Sequence, residues 1–313
     1  MAAPVGVVLT VAAIAVSAAA GIGAELHWPH RAGAWARQAL VVSLYTLLPF
    51  VTFFNLARVE IDADLGGGLV LGWIAILLAG AAAWLVGQRL LGLGRAATGT
   101  LICCTLVPNS GYLGYPLCAS LLGFDELGHA VIYDIVVVSP SLLLLAFAVG
   151  AGFGDRAGER PRDRVLAFFT RNPPLYAAIA ALLAPDSLAP DVLVDISRGA
   201  VVALLPIGFF AVGAVLAEEA TEEKVRLGSP LRPPVAAAIL LRLALAPALL
   251  YLLALPLIDL PGPYLLLAAM PCGINTLLVA HVYGLDVRLA AQAIAWSTAI
   301  AVIGALAAEA TLG

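Results

Sequence analysis

Two short polar stretches interrupt long apolar runs of this chain, and they hold the residue types best suited to bind a charged molecule. The stretches are "VPNSG" at residues 107–111 and "MPCGINT" at residues 270–276. Each combines a helix-breaking proline with a glycine and with side chains that cap helices. Each should therefore divide a helix into halves whose amide-rich ends can bind an anion. Asn109, Ser110, Gly111, Asn275 and Thr276 are the residues of these two stretches that could take part in such a site.

The breaks are assigned to Pro108, Pro271 and Gly273. The first should separate half-helices over 101–107 and 112–122, and an Asn, Ser or Thr side chain should cap the second half of each broken helix. Irregular backbone inside a membrane is tolerated only where protein or a wet cavity satisfies its polar groups. A purely structural role of Asn275 as a cap is the alternative to substrate contact by that residue.

Three ionisable residues fall inside apolar runs. Asp134 in "VIYDIVV" and His281 are candidates for proton coupling, because a buried ionisable group in a membrane is costly and His titrates near neutral pH. Asp134 could instead pair with a buried donor, and His281 could lie in a wet vestibule. Arg242 follows Pro234 by eight residues, about 12 Å along a helix. We expect it to snorkel to the cytoplasmic face, or to neutralise an anionic substrate.

The composition predicts an integral membrane protein that is all α-helical. Of 313 residues, 62% are hydrophobic and only 12% are charged, with a mean hydropathy of +1.03, whereas soluble domains are closer to half apolar and a quarter charged. Apolar runs predict ten transmembrane helices, near residues 4–22, 38–57, 68–91, 96–122, 127–150, 172–184, 194–217, 234–256, 263–283 and 287–309.

Positive charge orients these spans. The loops after odd-numbered spans hold thirteen basic residues, and the loops on the other face hold only Arg58 and Arg198. Because basic loops remain in the cytoplasm, both termini should be extracytoplasmic in a cell inner membrane. The thirteen are Arg31, Arg37, Arg89, Arg95, Arg156, Arg160, Arg162, Arg164, Arg171, Lys224, Arg226, Arg232 and Arg288.

The two halves of the chain resemble each other. "LLPFVTFF" in span 2 corresponds to "LLPIGFF" in span 7, and the two polar breaks lie in spans 4 and 9. Each pair lies five spans apart, and five is odd, so the second half enters the membrane from the opposite side. The chain should comprise two inverted five-helix repeats, residues 1–150 and 172–313, joined by a cytoplasmic linker at 151–171.

At the two breaks the chain resembles the auxin efflux carrier family. "VPNSGYLGYPL" and "MPCGINTLLVAHVYGLD" are similar to motifs of that family, which includes plant PIN exporters and bacterial malonate-type carriers. The resemblance implies a fold like that of bile-acid sodium symporters, with crossed broken helices 4 and 9. Spans 1, 2, 6 and 7 would form a scaffold that dimerises, and spans 3–5 and 8–10 a core that moves like an elevator.

The resemblance implies a secondary carrier that exports small organic anions, such as auxin-like or malonate-like carboxylates. It also implies that the substrate-binding residues are Asn109 and Asn275, together with their neighbours Ser110, Gly111 and Thr276. We expect no enzyme activity, no cofactor, no metal site and no nucleic-acid partner; coupling would be to protons or Na⁺. A sodium-coupled importer of organic anions, a channel and a membrane sensor remain alternatives. An intramembrane aspartyl protease is disfavoured, because Asp134 and Asp155 are 21 residues apart, about 31 Å along a helix. The four cysteines show no metal-ligand spacing.

Overall fold

The structure is a computed structural model that describes residues 7–59, 63–155, 169–170, 172–222 and 229–312. Most of the predicted linker 151–171 lies outside these residues. So do several basic residues on which the predicted orientation depends, namely Arg156, Arg160, Arg162, Arg164, Arg171, Lys224 and Arg226.

Helices make up nearly all of the described chain, which contains no β-strand. In chain order the α-helices are α1 (Val7–His27), α2 (Arg31–Tyr45), α3 (Leu47–Leu56), α4 (Ala63–Leu85), α5 (Arg95–Leu106), α6 (Tyr115–Leu121), α7 (Leu127–Tyr133), α8 (Phe147–Phe153), α9 (Pro173–Leu183), α10 (Asp191–Glu222), α11 (Pro233–Leu240), α12 (Ala246–Ala254), α13 (Gly262–Ala268), α14 (Asn275–Tyr283) and α15 (Val287–Leu312).

Short π-helical and 3₁₀ segments join several of these helices end to end. π-helical segments lie at Val86–Leu90, Ser110–Gly114, Asp134–Val138, Ser141–Ala146 and Leu241–Leu245, and 3₁₀ turns at Phe124–Glu126 and Asp186–Leu188. A π-helical turn inserts an extra residue into a helix and is often found at functional sites. Here three of the five contain Ser110, Asp134 or Arg242.

Seven helical segments of the described chain are long and apolar enough to cross a membrane, by length and composition. They correspond to predicted spans 1, 2, 3, 5, 7, 8 and 10. The other three predicted spans contain no continuous helix that is long enough to cross a membrane. Spans 4 and 9 are interrupted, and α9 is a single apolar helix of 11 residues.

Close packing of α1 along α10 depends on small residues. A Cβ atom added to Gly21 would lie 2.1 Å from the carbonyl oxygen of Phe210, and one added to Gly213 would lie 2.1 Å from that of Ala18. Helices in membranes commonly associate through such small-residue contacts, because these let two backbones approach. Both glycines therefore fix the spacing of α1 and α10.

Candidate functional site

The two interrupted helices meet at their breaks. After α5, Val107 adopts extended backbone angles, and residues 107–109 run alongside residues 271–273, which follow α13. The Asn109 amide donates to the Pro271 carbonyl at 2.8 Å, and the Gly273 amide donates to the Val107 carbonyl at 2.7 Å. The pairing is antiparallel. The polar backbone exposed by one break is thus satisfied by the other, as membrane-buried irregular backbone requires.

Gly273 permits this close crossing. A Cβ atom at residue 273 would lie 2.9 Å from the Pro108 carbonyl oxygen and 3.0 Å from Cγ1 of Val107. A larger residue would push the two breaks apart. The Cys272 amide, between the two paired residues, donates instead to Oγ of Ser297 in α15 at 3.1 Å.

Arg242 lies at the back of the crossing and is the main correction to the sequence analysis. Its side chain does not snorkel to a membrane face, because the residue is only 1% exposed. The guanidinium donates to the carbonyl of Thr105 at 2.7 Å, to that of Met270 at 3.0 Å, and to that of Ala268. These carbonyls lie at or beside the ends of α5 and α13, where helices leave carbonyl groups unpaired.

Asp134 lies beside the first break. Ser110 Oγ donates to one carboxylate oxygen at 2.5 Å, and the Tyr115 hydroxyl donates to the other at 2.8 Å. Asp134 is half-buried, whereas Ser110 and Tyr115 are buried. The sequence analysis left open whether Asp134 binds a proton or pairs with a buried donor. The pairing is present, and it connects the carboxylate directly to the helical run that begins at Ser110.

A cavity of about 520 Å³ opens in front of the crossing. Its walls are mostly apolar and include Leu40, Val41 and Leu44 of α2 and Leu142 and Leu143. Polar groups of the lining come from the two breaks and Asp134, and also from Arg37, Thr52, Ser139, Asn172 and His281. This size and this mixture of apolar and polar groups suit a small organic molecule with both kinds of surface.

The cavity brings together most of the predicted site residues. Those that line it are Pro108, Asn109, Ser110, Gly111, Asp134, Gly273, Asn275 and His281. Thr276 and Pro271 do not line it: Thr276 is buried within the first turn of α14, and its hydroxyl has no partner among the described residues. Pro271 contributes its carbonyl to the crossing instead.

The predicted side-chain caps of the two broken helices do not form. Asn109 precedes Ser110–Gly114, but its side chain makes no capping hydrogen bond. Ile274, not Asn275 or Thr276, occupies the N-cap position of α14. Gly111 does not have positive φ, and a Cβ atom there would meet only Leu48, at 3.9 Å. Backbone strain therefore does not require glycine at 111, although the residue faces the cavity.

Two polar lining residues were missed by the sequence analysis. Thr52 of α3 is 1% exposed and Asn172, just before α9, is 5% exposed. Neither the Thr52 hydroxyl nor the Asn172 side-chain nitrogen has a hydrogen-bond partner in the described part of the chain. Buried polar groups are normally paired, so both are available to a ligand in the cavity. Only the position of Asn172 before two prolines marked it in the sequence, and that pattern resembles an ordinary helix start.

The exposure of the lining residues indicates where solvent reaches the cavity. Arg37 and His281 line it and are exposed, so we infer that it opens on their side. The helical segment that starts near Asp125 passes Asp134 and contributes Phe147 to the same lining. At the start of that segment, Arg198 of α10 makes a surface ion pair with Asp125 at 2.7 Å. A Cβ atom on Gly128 would lie 2.6 Å from the Asn55 carbonyl oxygen.

Comparison with known proteins points to transport. Residues 166–306 match the model of a family described as membrane transport protein. An uncharacterized transporter of Methanocaldococcus jannaschii is 24% identical over 274 residues, which cover 84% of this chain and 85% of that protein. An uncharacterized transporter of Methanothermobacter thermautotrophicus is 30% identical over 169 residues, 51% of this chain and 53% of that protein.

Proposed function

We propose that this chain, whose residues 166–306 match the membrane transport protein family and which resembles auxin efflux carriers, is a secondary carrier of small organic anions. The observation that supports this most is the cavity of about 520 Å³, which ends at the crossing of the two broken helices. In broken-helix transporters the substrate binds at such half-helix ends. Auxin-like and malonate-like carboxylates are both candidates.

The chemistry of the cavity favours a carboxylate with an apolar body. The helical runs that begin at Ser110 and at Asn275 direct their amide ends toward the cavity, and Asn109 and Asn275 add side-chain amides. These groups suit a carboxylate head. The leucine and valine side chains of α2 suit the remainder of the ligand. Thr52 and Asn172 offer further hydrogen bonds to it.

Asp134 supplies a route to proton coupling. An ionised carboxylate beside the site repels an anionic substrate, because two like charges at close range in a poorly solvated cavity interact strongly. The substrate therefore binds better when Asp134 carries a proton. Its contacts with Ser110 and Tyr115 would transmit the change in charge to the first break. His281, at the open end of the cavity, is a second candidate in the proton path.

The proposed mechanism is alternating access by an elevator movement. It assumes ten transmembrane helices in two inverted repeats, with spans 1, 2, 6 and 7 as scaffold and spans 3–5 and 8–10 as core. The crossing would travel with the core. The protein would reside in the plasma membrane with both termini outside, so that the open end at Arg37 and His281 faces the cytoplasm. Dimerisation would occur through the scaffold.

Binding and counterflow together test this function. A panel of organic acids is first screened for thermal stabilisation of the purified protein. The best ligand is then loaded into proteoliposomes, and uptake of labelled ligand is measured. A carrier exchanges internal for external substrate, so internal ligand accelerates uptake. Asn109→Ala should lower the affinity by about tenfold or more, the equivalent of one to two lost hydrogen bonds to a charged group.

A matched control is Asn55→Ala. Asn55 is buried outside the cavity, where it donates to Val51 and Ser197, so its replacement lowers stability without changing ligand affinity. Uptake that is saturable but unaffected by internal ligand would exclude exchange and favour a channel. Full affinity in Asn109→Ala would remove this residue from the site.

A further inference from the structure

Arg242 is a buried charge that makes no ion pair with a carboxylate in the described part of the chain. Its hydrogen bonds there go to the main-chain carbonyls of Thr105, Ala268 and Met270. A buried cation is costly unless it is paired and hydrogen-bonded. Here the groups that it hydrogen-bonds are carbonyl dipoles rather than carboxylates.

These carbonyls come from both broken helices. Thr105 belongs to the last turn of α5, and Ala268 ends α13, with Met270 in the break that follows. The C-terminal end of a helix carries a partial negative charge, so two such ends converge on the guanidinium. Carriers with broken helices use unwound carbonyls and helix C-terminal ends of this kind to coordinate exchangeable cations.

We propose that Arg242 is a fixed cation of the transport core, which permanently fills the carbonyl cluster that an exchangeable cation would otherwise occupy at the crossing. The guanidinium is suited to this role because it stays charged and offers five donors in a planar fork. The positive charge at the crossing then requires no sodium ion, so this cluster does not couple transport to sodium. Coupling of transport to an ion gradient would then depend on a group that can exchange a proton, such as Asp134.

The proposal is tested by thermal melting of the purified protein, which needs no substrate. The result of this test is therefore independent of whether the proposed transport function is correct. The wild type should melt at the same temperature in sodium, potassium and choline chloride of equal ionic strength. Arg242→Ala should lower the melting temperature by about 10 °C, because three buried carbonyls lose their partner. Millimolar guanidinium should restore part of that loss, and equal sodium chloride should restore less.

Two controls separate charge from packing. Arg198→Ala removes an arginine that contacts exposed carboxylates at the other end of the bundle, and guanidinium should not restore its melting temperature. Arg242→Met keeps much of the side-chain volume without the charge, and Arg242→Lys keeps the charge. The Arg242→Lys variant should be more stable than the Arg242→Met variant. This comparison tests the need for a positive charge even if Arg242→Ala cannot be purified.

Several outcomes would overturn the proposal. They are a saturable stabilisation of the wild type by sodium over potassium, an unchanged melting temperature in Arg242→Ala, and no specific effect of guanidinium on that variant. A Met variant at least as stable as the Lys variant would show that only packing matters at this position.

Discussion

Asp134 is the residue at which proton coupling can be separated from binding. In Asp134→Asn the side chain can still accept from one of the two hydroxyls of Ser110 and Tyr115, but it can no longer change charge. We expect substrate exchange in proteoliposomes to remain, with an affinity within about tenfold of the wild type. Uptake driven by a proton gradient should be lost. Both rates are measured on the same vesicle preparation.

Glu126→Gln is the control for this substitution. Glu126 pairs with His129, and neither residue lines the cavity, so proton-driven uptake should persist. If Asp134→Asn still concentrates substrate against a gradient when driven by protons, another group carries the proton, and His281 is the next candidate.

The role of a single residue could be predicted from the sequence only where its type is unusual for its surroundings. Asp134 is conspicuous because a carboxylate in an apolar run is costly wherever it points. Arg242 looked equally conspicuous, but its role depends on three carbonyls, one of which lies 137 residues away along the chain. Backbone acceptors have no sequence signature, so the pattern favoured snorkelling. Thr52 had no signal, because a threonine within a helix is ordinary. The one signal at Asn172, its position before two prolines, resembles an ordinary helix start.

At the scale of elements, the sequence predicted where helices stop better than how they restart. Proline removes an amide and clashes with the preceding turn, and α5 ends at Leu106, beside Pro108. The restart was not predictable, because the chain enters a π-helical turn at Ser110–Gly114 before α6. The contact between the breaks depends on the main-chain pairing of residues 107–109 with 271–273, and pairing across such a separation is set by packing of the whole bundle.

The crossing predicts opposite outcomes for two glycine substitutions. Gly273→Ala would place a methyl group within 2.9 Å of the Pro108 carbonyl oxygen, which should cost about 1–3 kcal/mol of stability. Gly111→Ala meets nothing closer than 3.9 Å, so stability should change by less than about 0.5 kcal/mol. Its methyl group does face the cavity and should weaken ligand binding. Thermal melting with and without ligand measures both effects.

The two variants serve as controls for each other. Equal melting temperatures would show that the breaks are not in close contact at Gly273. Unchanged affinity in Gly111→Ala would show that the ligand does not reach the first break.

For the whole molecule, composition was sufficient to predict the class of protein, but the state of the cavity required the structure. Long apolar runs can be read directly as helices. The position of the cavity depends on contacts between distant parts of the chain, and the ion pair of Asp125 with Arg198 joins residues 73 positions apart. In the proposed elevator Asp125 belongs to the core and Arg198 to the scaffold. We therefore interpret the structure as one state of that proposed movement, in which the cavity is reached from the side of Arg37 and His281.

A cross-link between scaffold and core tests the movement of the whole molecule. The hydroxyls of Thr10 in α1 and Ser120 in α6 lie 3.1 Å apart, and α1 belongs to the proposed scaffold, α6 to the proposed core. In the double variant Thr10→Cys, Ser120→Cys, oxidation should form a disulfide, which requires closely spaced cysteines. If the core slides past α1 during transport, the disulfide should abolish counterflow, and reduction should restore it.

The native residues Cys103, Cys104, Cys118 and Cys272 are all buried, so each single variant, oxidised in the same way, should transport normally. Full counterflow with the cross-link formed would mean that α1 and α6 do not separate, and the division into scaffold and core would have to be abandoned, whereas binding at the crossing would be unaffected.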